Sequence, residues 1–286
     1  MTPLPIPDYH LHTAVTEDAE STLDEIAAAA VAAGLREIAV TNHFVVGLDT
    51  YRVTPEQLWE HRRRADELED ELGLSIKIGA EVDYFEDRLD EINEFLKSFD
   101  FDIVIGAAHF VEGLGVAAES SARELFGKYD ALTVFKKSLL RIEAAAASGL
   151  FDVIAHLDIV RKFHRESDGE VRFSDYEEEA ERIARALVES GTGFEVNCRG
   201  FQHATGSQYP SSEFLMLLKR YDIETVTIGS DAHKAELVGT FLSDGLAELR
   251  KAGFTHLTTY EKRRPCKTDI NKPGFVNSTS NPAQCS

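Results

Sequence analysis

Short apolar segments rich in Val and Ile alternate along the chain with longer amphipathic segments. Segments of the first kind are typical of buried strands, and segments of the second kind are typical of helices that cover a sheet. The pattern predicts strands at Ile6–His12, Glu37–Asn42, Ile76–Val82, Ile103–Ala108, Val153–His156, Gly193–Asn197 and Thr225–Gly229. It predicts intervening helices that include Thr22–Ala33, Pro55–Leu72, Tyr129–Ser148, Tyr176–Ser190 and Ser211–Tyr221.

Repeated strand–helix units of this kind predict a parallel sheet with crossover helices, which is an α/β fold. Periodicity alone allows either a doubly wound sheet or a closed barrel. Without a linker or an internal repeat, we predict one domain over residues 1–265 and a C-terminal tail over residues 266–286. The small residues of Leu114–Ser121 predict a loop over one end of the domain.

Composition limits the partners of this fold. Hydrophobic residues make up 43% of the 286 positions, which is enough for a substantial core. The formal net charge is -20, from 50 acidic and 30 basic residues. This balance argues against a nucleic-acid partner, because such a surface needs a basic stripe. We predict a small ligand, and an acidic protein that binds a phosphate must supply positive charge locally, for example with metal ions.

Three cysteines, Cys198, Cys266 and Cys285, form neither a disulfide framework nor a C-x-x-C pair, which favours a reducing compartment. Met1–Tyr9 lacks the pattern of a signal peptide, and no apolar run is long enough to span a bilayer. We therefore predict a cytoplasmic protein without a membrane partner. The sequence leaves its oligomeric state open.

Histidines and carboxylates concentrate at the ends of the predicted strands. In a parallel barrel such positions open onto one face, and residues two apart on a strand share a side. Imidazole and carboxylate groups are the ligands of Zn²⁺, Mn²⁺ or Fe²⁺. The candidate ligands at or just after strand ends are His10, His12, His43, Glu81, His109, His156, Asp231 and His233.

One histidine at a strand end is more often structural than a ligand, but the two pairs at the first and last strands outweigh that interpretation. A structural zinc site uses four ligands, commonly cysteines, and this set is larger and lacks cysteine. We therefore predict two to three metal ions that share a carboxylate, which suits hydrolysis. His61 and His256 are interpreted as structural or solvent-facing, and His164 and His203 stay unassigned.

The motifs around these residues resemble those of the polymerase and histidinol phosphatase (PHP) superfamily. They are Asp8–Thr13, Thr41–His43, Gly79–Glu81, Gly106–His109, Ala155–His156 and Gly229–His233, which together span most of the chain. The segments Phe151–Phe163 and Glu195–Asn197 are most similar to the histidinol-phosphatase branch.

The resemblance implies a distorted TIM-like barrel of seven strand–helix units, a (β/α)7 barrel, with a trinuclear metal centre. It assigns the first metal to His10, His12, Glu81 and Asp231. It assigns the second metal to Glu81, His109 and His156, and the third to Asp18, His43 and His233. At the position of Asp18 the branch often has a histidine, and an aspartate is also a competent ligand.

Arg161 and Arg199 follow strand ends, and their guanidinium groups match phosphate oxygens. Arginines at similar positions of the branch hold the substrate phosphate. We therefore predict hydrolysis of a phosphomonoester, L-histidinol phosphate, by a metal-bridging hydroxide, as a step of histidine biosynthesis. Asp231 or His233 is the candidate proton relay, and Asp83 or Glu112 is a candidate to recognise the substrate amine.

Three alternatives stay open at this point. The same site could act on another small phosphoester, a cyclic phosphodiester or a nucleotide. The barrel could also bind metals without catalysis. An amidohydrolase barrel also begins with a His-x-His pair, but no lysine at a predicted strand end could form its carbamate bridge.

Overall fold

The computed structural model describes residues 6–271. Residues 272–286 of the predicted tail, with Cys285, lie outside the described residues. The strands are β1 (Asp8–Leu11), β2 (Glu37–Val40), β3 (His43–Phe44), β4 (Ser75–Asp83), β5 (Ile103–Ala107), β6 (Phe110–Val111), β7 (Leu114–Gly115), β8 (Val153–Ile154), β9 (Gly193–Asn197), β10 (Val226–Gly229), β11 (His256–Glu261) and β12 (Arg264–Asp269). The helices are α1 (Leu23–Ala33), α2 (Pro55–Leu72), α3 (Leu89–Lys97), α4 (Glu119–Lys128), α5 (Ala131–Ala147), α6 (Phe173–Ser190), α7 (Ser212–Arg220) and α8 (Leu242–Lys251).

Parallel strands form the wall of a nearly closed barrel. They pair in the order β1, β2, β4, β5, β8, β9, β10, and the short β3 pairs with β4. The two ends of this path meet through a parallel bridge between Leu11 and Ala232, where His12 N donates to Ala232 O at 2.9 Å. The predicted TIM-like barrel of seven strand–helix units is thereby confirmed, and the doubly wound sheet is excluded.

Local signals explain where the helices begin and end. Thr22 and Thr54 cap α1 and α2 through capping boxes, and Gly34 and Gly73 end these helices in the left-handed conformation. The predicted helix Tyr129–Ser148 begins instead at Ala131, because the side chain of Asp130 caps it. Among residues 6–271, every helix is too short or too polar to cross a lipid bilayer.

The segment Leu114–Ser121, predicted to be a loop, contains regular secondary structure instead. Leu114–Gly115 pairs with Phe110–Val111 as a small hairpin, and α4 begins at Glu119. The hairpin turn forms because Glu112 and Gly113 both adopt positive φ, of 51° and 79°. This region therefore forms a fixed wall at the carboxyl end of the barrel.

A β-hairpin, β11–β12, covers the opposite end of the barrel. Its two-residue turn places Lys262 and Arg263 at positive φ, as a type I′ turn requires, although the usual Asn-Gly signal is absent. Strand β12 continues past the domain boundary predicted at residue 265, and Ile270 is fully buried. The folded domain therefore includes the first residues of the predicted tail.

Candidate metal centre

The first and last barrel strands bring two pairs of side chains to one point. His10 in β1 and His12 just after it are fully buried, and their ring centroids lie 5.0 Å apart. Asp231 and His233 follow β10, and Asp231 Oδ1 lies 3.5 Å from His12 Nε2. The ring of His233 stacks on that of His12 with a centroid distance of 4.2 Å. The structure therefore brings both predicted pairs together.

Asp8 holds the segment after β10 against β1. Its buried carboxylate accepts hydrogen bonds from Ser230 N at 2.8 Å, from Ser230 Oγ at 2.5 Å and from Gly239 N at 2.9 Å. Burial raises the pKa of the Asp8 carboxyl to about 6. These bonds join residues 222 or 231 positions apart in sequence, directly beside the candidate ligands.

The carboxylate of Glu81, in β4, lies at the centre of the cluster. Its Oε2 is 2.9 Å from His43 Nδ1 and 3.2 Å from His10 Nε2, and its Oε1 is 2.8 Å from His156 Nε2. Burial alone would raise the pKa of Glu81, but His10, His43 and His109 outweigh it and hold the pKa well below its usual value. A buried, ionised carboxylate with imidazoles at both oxygens suits a bridging ligand.

The remaining candidates complete the cluster. Asp18 Oδ2 lies 3.1 Å from His43 Nε2 and 3.1 Å from His233 Nε2. Three groups within the described residues have ligand atoms within 4.8 Å of one another. They are His12, His43 and His233; His10, His12 and Asp231; and Glu81, His109 and His156. All nine predicted ligands therefore lie in one cluster.

The donor set fits metal ions. His10 Nε2, both ring nitrogens of His12 and Asp18 Oδ1 are buried without a hydrogen-bond partner. Burial, reinforced by His43 and His233, lowers the pKa of His12 to about 3, so its ring is neutral and its lone pair is available. Leaving such groups unpaired is costly, whereas neutral imidazoles and carboxylates are good ligands of divalent ions.

Two further carboxylates orient the candidate ligands. Glu195 Oε1 lies 2.6 Å from His10 Nδ1, and Asp83 Oδ2 lies 2.8 Å from His109 Nδ1. Such contacts fix the tautomer of a ligating histidine. Asp83 contacts His109 but also lines the cavity over the cluster, whereas Glu112 pairs with lysines on α4 and α5. Recognition of a substrate amine by Asp83 stays a prediction. Sequence reasoning missed the role of Glu195, although a carboxylate in the buried strand β9 was a signal.

A cavity of about 590 Å³ opens over the cluster. Lys162, Arg199 and Lys234 line it together with several candidate ligands. Burial lowers the pKa of Lys162. Phe110, Ala117 and neighbouring residues of the hairpin and the start of α4 line another part of the wall. The cavity therefore combines carboxylate and imidazole groups with cationic and apolar surfaces.

The structure does not bring Arg161 to the predicted phosphate site. Its guanidinium donates to Asp158 Oδ2 at 3.2 Å, to Gln208 O at 3.2 Å and to Ser207 Oγ at 2.7 Å, and it lines a neighbouring cavity of about 230 Å³. Arg161 and Lys162 belong to a 3₁₀ turn, in which successive side chains point about 120° apart. The next residue, Lys162, therefore lines the metal cavity instead.

The four histidines outside the cluster differ in their surroundings. His61 is buried and bonds Thr13 Oγ1 and Gln57 O, which confirms a structural role. His256 belongs to the hairpin at the opposite end of the barrel. His164 bonds Gly169 O beside the smaller cavity, whereas His203 lines the metal cavity.

Comparison with known proteins agrees with this arrangement. The PHP domain model matches residues 8–199. A histidinol-phosphatase from Lactococcus lactis subsp. lactis is 28% identical, over 93% of this chain and 97% of that protein. A relative from Deinococcus radiodurans is 29% identical, over 90% of this chain and 98% of that protein.

Among solved structures, the fold is similar to that of histidinol phosphate phosphatase from Lactococcus lactis subsp. lactis, which was crystallised with zinc, L-histidinol and phosphate. The TM-score is 0.75 at 24% identity, and the match covers 92% of this chain and 99% of that chain. The family match over most of the barrel and its candidate ligands shows that the chain belongs to the PHP domain family.

Proposed function

We propose that the protein is a metal-dependent phosphatase that hydrolyses L-histidinol phosphate to L-histidinol and phosphate. The observation that carries the proposal is the cluster around Glu81, which shares one cavity with Arg199 and Lys162. The relatives named above support the choice of substrate. One is named histidinol-phosphatase, and the solved structure contains L-histidinol and phosphate.

The ligand groups favour two to three divalent ions, of zinc, manganese or iron. His10, His12, Glu81 and Asp231 would hold one ion. His109 and His156 would share Glu81 with a second, and Asp18, His43 and His233 would hold a third. When bound, such ions lower the pKa of water and stabilise negative charge on phosphoryl oxygens.

The chain's own residues supply the remaining chemistry. Arg199 and Lys162 neutralise the outer oxygens of the phosphate and orient it. Burial would raise the pKa of Asp231, but His10 and His12 hold it well below its usual value, so this carboxylate is ionised. It can accept a proton from the attacking water and return it to the leaving alkoxide. His233 lies 3.1 Å from Asp18 and holds that carboxylate in place.

Phosphate release tests the proposal. The panel contains L-histidinol phosphate, p-nitrophenyl phosphate, a mononucleotide and a cyclic nucleotide, assayed before chelation, after chelation and after metal is restored. We expect the highest kcat/KM with L-histidinol phosphate, loss of activity on chelation, and recovery with metal. Activity that survives metal stripping would refute metal dependence, and faster turnover of the nucleotide or the cyclic diester would refute the substrate.

Metal analysis of the dialysed protein tests the number of ions. Asp18→Asn weakens only the proposed third site, because Asp18 contacts His43 and His233 and not Glu81 in the structure. We expect this variant to retain about one ion fewer per chain than the parent. An unchanged metal content would remove Asp18 from the ligand set.

A further inference from the structure

His203, which the sequence left unassigned, has a fixed place in the wall of the metal cavity. It follows the 3₁₀ turn Cys198–Gln202, which also carries Arg199. Its backbone is held on both sides, because His203 N donates to Gly200 O at 3.1 Å and Gly206 N donates to His203 O at 3.0 Å. The backbone that carries the imidazole is therefore fixed beside the cavity.

Tyr209 contacts the imidazole of His203 on its Nδ1 side. Its side chain is fully buried, and its hydroxyl lies 3.1 Å from His203 Nδ1. Two backbone hydrogen bonds with Asn197, of 2.7 and 3.0 Å, anchor Tyr209 to the end of β9. The contact therefore joins two segments that are both tied to the barrel.

The direction of this hydrogen bond determines the tautomer of His203. Burial raises the pKa of Tyr209 above its usual value, so its hydroxyl keeps its proton. The Tyr209 side chain also makes a hydrogen bond with the side chain of Thr205, whose own hydroxyl donates to Gly200 O at 2.9 Å, so Thr205 Oγ1 and His203 Nδ1 are both acceptors within reach of the phenolic proton. When the hydroxyl donates to Nδ1, the ring hydrogen of a neutral imidazole must be on Nε2.

Nε2 of His203 has no partner in the described part of the chain and is not enclosed by protein. Burial, together with the positive charges of Lys162 and Arg199, lowers the pKa of His203 to about 4, and the carboxylate of Asp231 only partly opposes this. The ring is consequently a neutral donor at neutral pH, and it stands beside two cations that suit an anionic group.

We infer that Tyr209 holds His203 in the tautomer with hydrogen on Nε2, and that this N–H donates a hydrogen bond to a phosphate oxygen of the substrate. The inference rests on the proposed function in that the bound group is a phosphate. The N–H of His203 would orient the phosphate through a directional hydrogen bond without adding charge. Lys162 and Arg199, in the same cavity wall, already supply positive charge. Tyr209 acts as a positioning residue, since it reaches the cavity through His203.

Binding of inorganic phosphate tests the substrate contact without requiring turnover. His203→Gln keeps an N–H donor near the position of Nε2, whereas His203→Leu removes it. Calorimetric titration of the zinc-loaded proteins should give a Kd within about threefold of the parent for the glutamine variant, and one roughly 10- to 100-fold weaker for the leucine variant, the range for a hydrogen bond to a charged group. His164→Leu, beside the smaller cavity, is the matched control and should leave the Kd unchanged.

Nuclear magnetic resonance tests the role of Tyr209. Long-range ¹H–¹⁵N spectra of the zinc-loaded protein at neutral pH should show His203 as the Nε2–H tautomer, with its signals identified by their loss in His203→Gln. In Tyr209→Phe both tautomers should be populated, at unchanged zinc content and similar Tm. A parent spectrum of the Nδ1–H tautomer or of a protonated ring overturns the inference, even if His203→Leu does not fold.

The same experiments separate this inference from the proposed function. If no phosphomonoester is hydrolysed but His203→Leu alone weakens phosphate binding, the function fails and the contact stands. If L-histidinol phosphate is hydrolysed but the leucine and glutamine variants bind phosphate equally well, the contact fails and the function stands.

Discussion

Replacing Glu195 with glutamine removes the carboxylate that orients His10 while preserving side-chain size. Glu195 is 1% exposed; its Oε1 lies 2.6 Å from His10 Nδ1, and its Oε2 accepts from His156 N at 3.1 Å and from Asn197 Nδ2 at 3.2 Å. In either orientation, the amide nitrogen of a glutamine would face at least one of these donors. The variant therefore loses a charged contact and leaves a buried donor unpaired.

Loss of such a contact behind a ligating histidine costs roughly 10- to 100-fold in metal affinity, or about 1.4–2.7 kcal/mol. Competition with a chromophoric chelator measures this loss directly as the Kd of the most weakly held ion. The matched control is Asp152→Asn, which changes a largely buried carboxylate bound to Arg263 at 3.0 Å. Equal metal affinity in parent and Glu195→Gln, or an equal loss in the Asp152→Asn control, would refute the reasoning.

Three further predictions concern the phosphate, protons and packing. Arg199→Met should raise KM for the phosphomonoester about 10- to 100-fold through loss of a charged hydrogen bond, whereas Arg220→Met on the surface should not, as steady-state kinetics will show. Burial would lower the pKa of His43, but nearby carboxylates raise it to about 10. Metal must therefore displace a proton, and metal affinity measured by chelator competition should rise about tenfold per pH unit between pH 6 and 8 for each proton released. Gly106→Ala should destabilise the fold by about 1–3 kcal/mol in urea titrations, because the added Cβ would overlap the ring of Phe151.

Each of these predictions has an outcome that would contradict it. Equal KM values for the two arginine variants would remove Arg199 from the phosphate site. Metal affinity that does not change with pH would mean that no proton is displaced. Gly127→Ala is the packing control, since its added Cβ meets nothing within 4 Å, and a similar loss of stability there would point to a backbone effect instead of overlap.

Sequence reasoning located the strand–helix units and the ligand cluster because both depend on short-range periodicity, whereas the choice of a barrel over a doubly wound sheet came from the family resemblance. Alternation along β1 places His10 and His12 on one side, and strand ends of one polarity share a face. The positions of Arg161 and Lys162 depend instead on the rotation of one 3₁₀ turn, which the residue types do not specify. The contact from Glu195 to His10 joins strands far apart in sequence and required their packing to be known.

The periodicity of the sequence also could not predict the irregular connections between strands and helices. The hairpin of β11 and β12 turns at Lys262 and Arg263, residues that rarely adopt the two positive φ angles of a type I′ turn. Tertiary packing of Tyr260 inside the barrel, against Tyr9, stabilises this hairpin and offsets the unfavourable turn. The sequence shows which residues form the turn, but it does not reveal the long-range contact between Tyr260 and Tyr9.

The hydrogen bonds from Ser230 and Gly239 to Asp8 have a consequence for how the protein is made. Asp231 and His233 follow β10, the last strand of the barrel path, so the full set of nine candidate ligands cannot assemble until β10 has docked beside β1. Closing so long a loop carries an entropic cost that local contacts do not repay. A nascent chain that has not yet released β10 from the ribosome therefore lacks Asp231 and His233, and we expect it to bind metal more weakly than the finished chain.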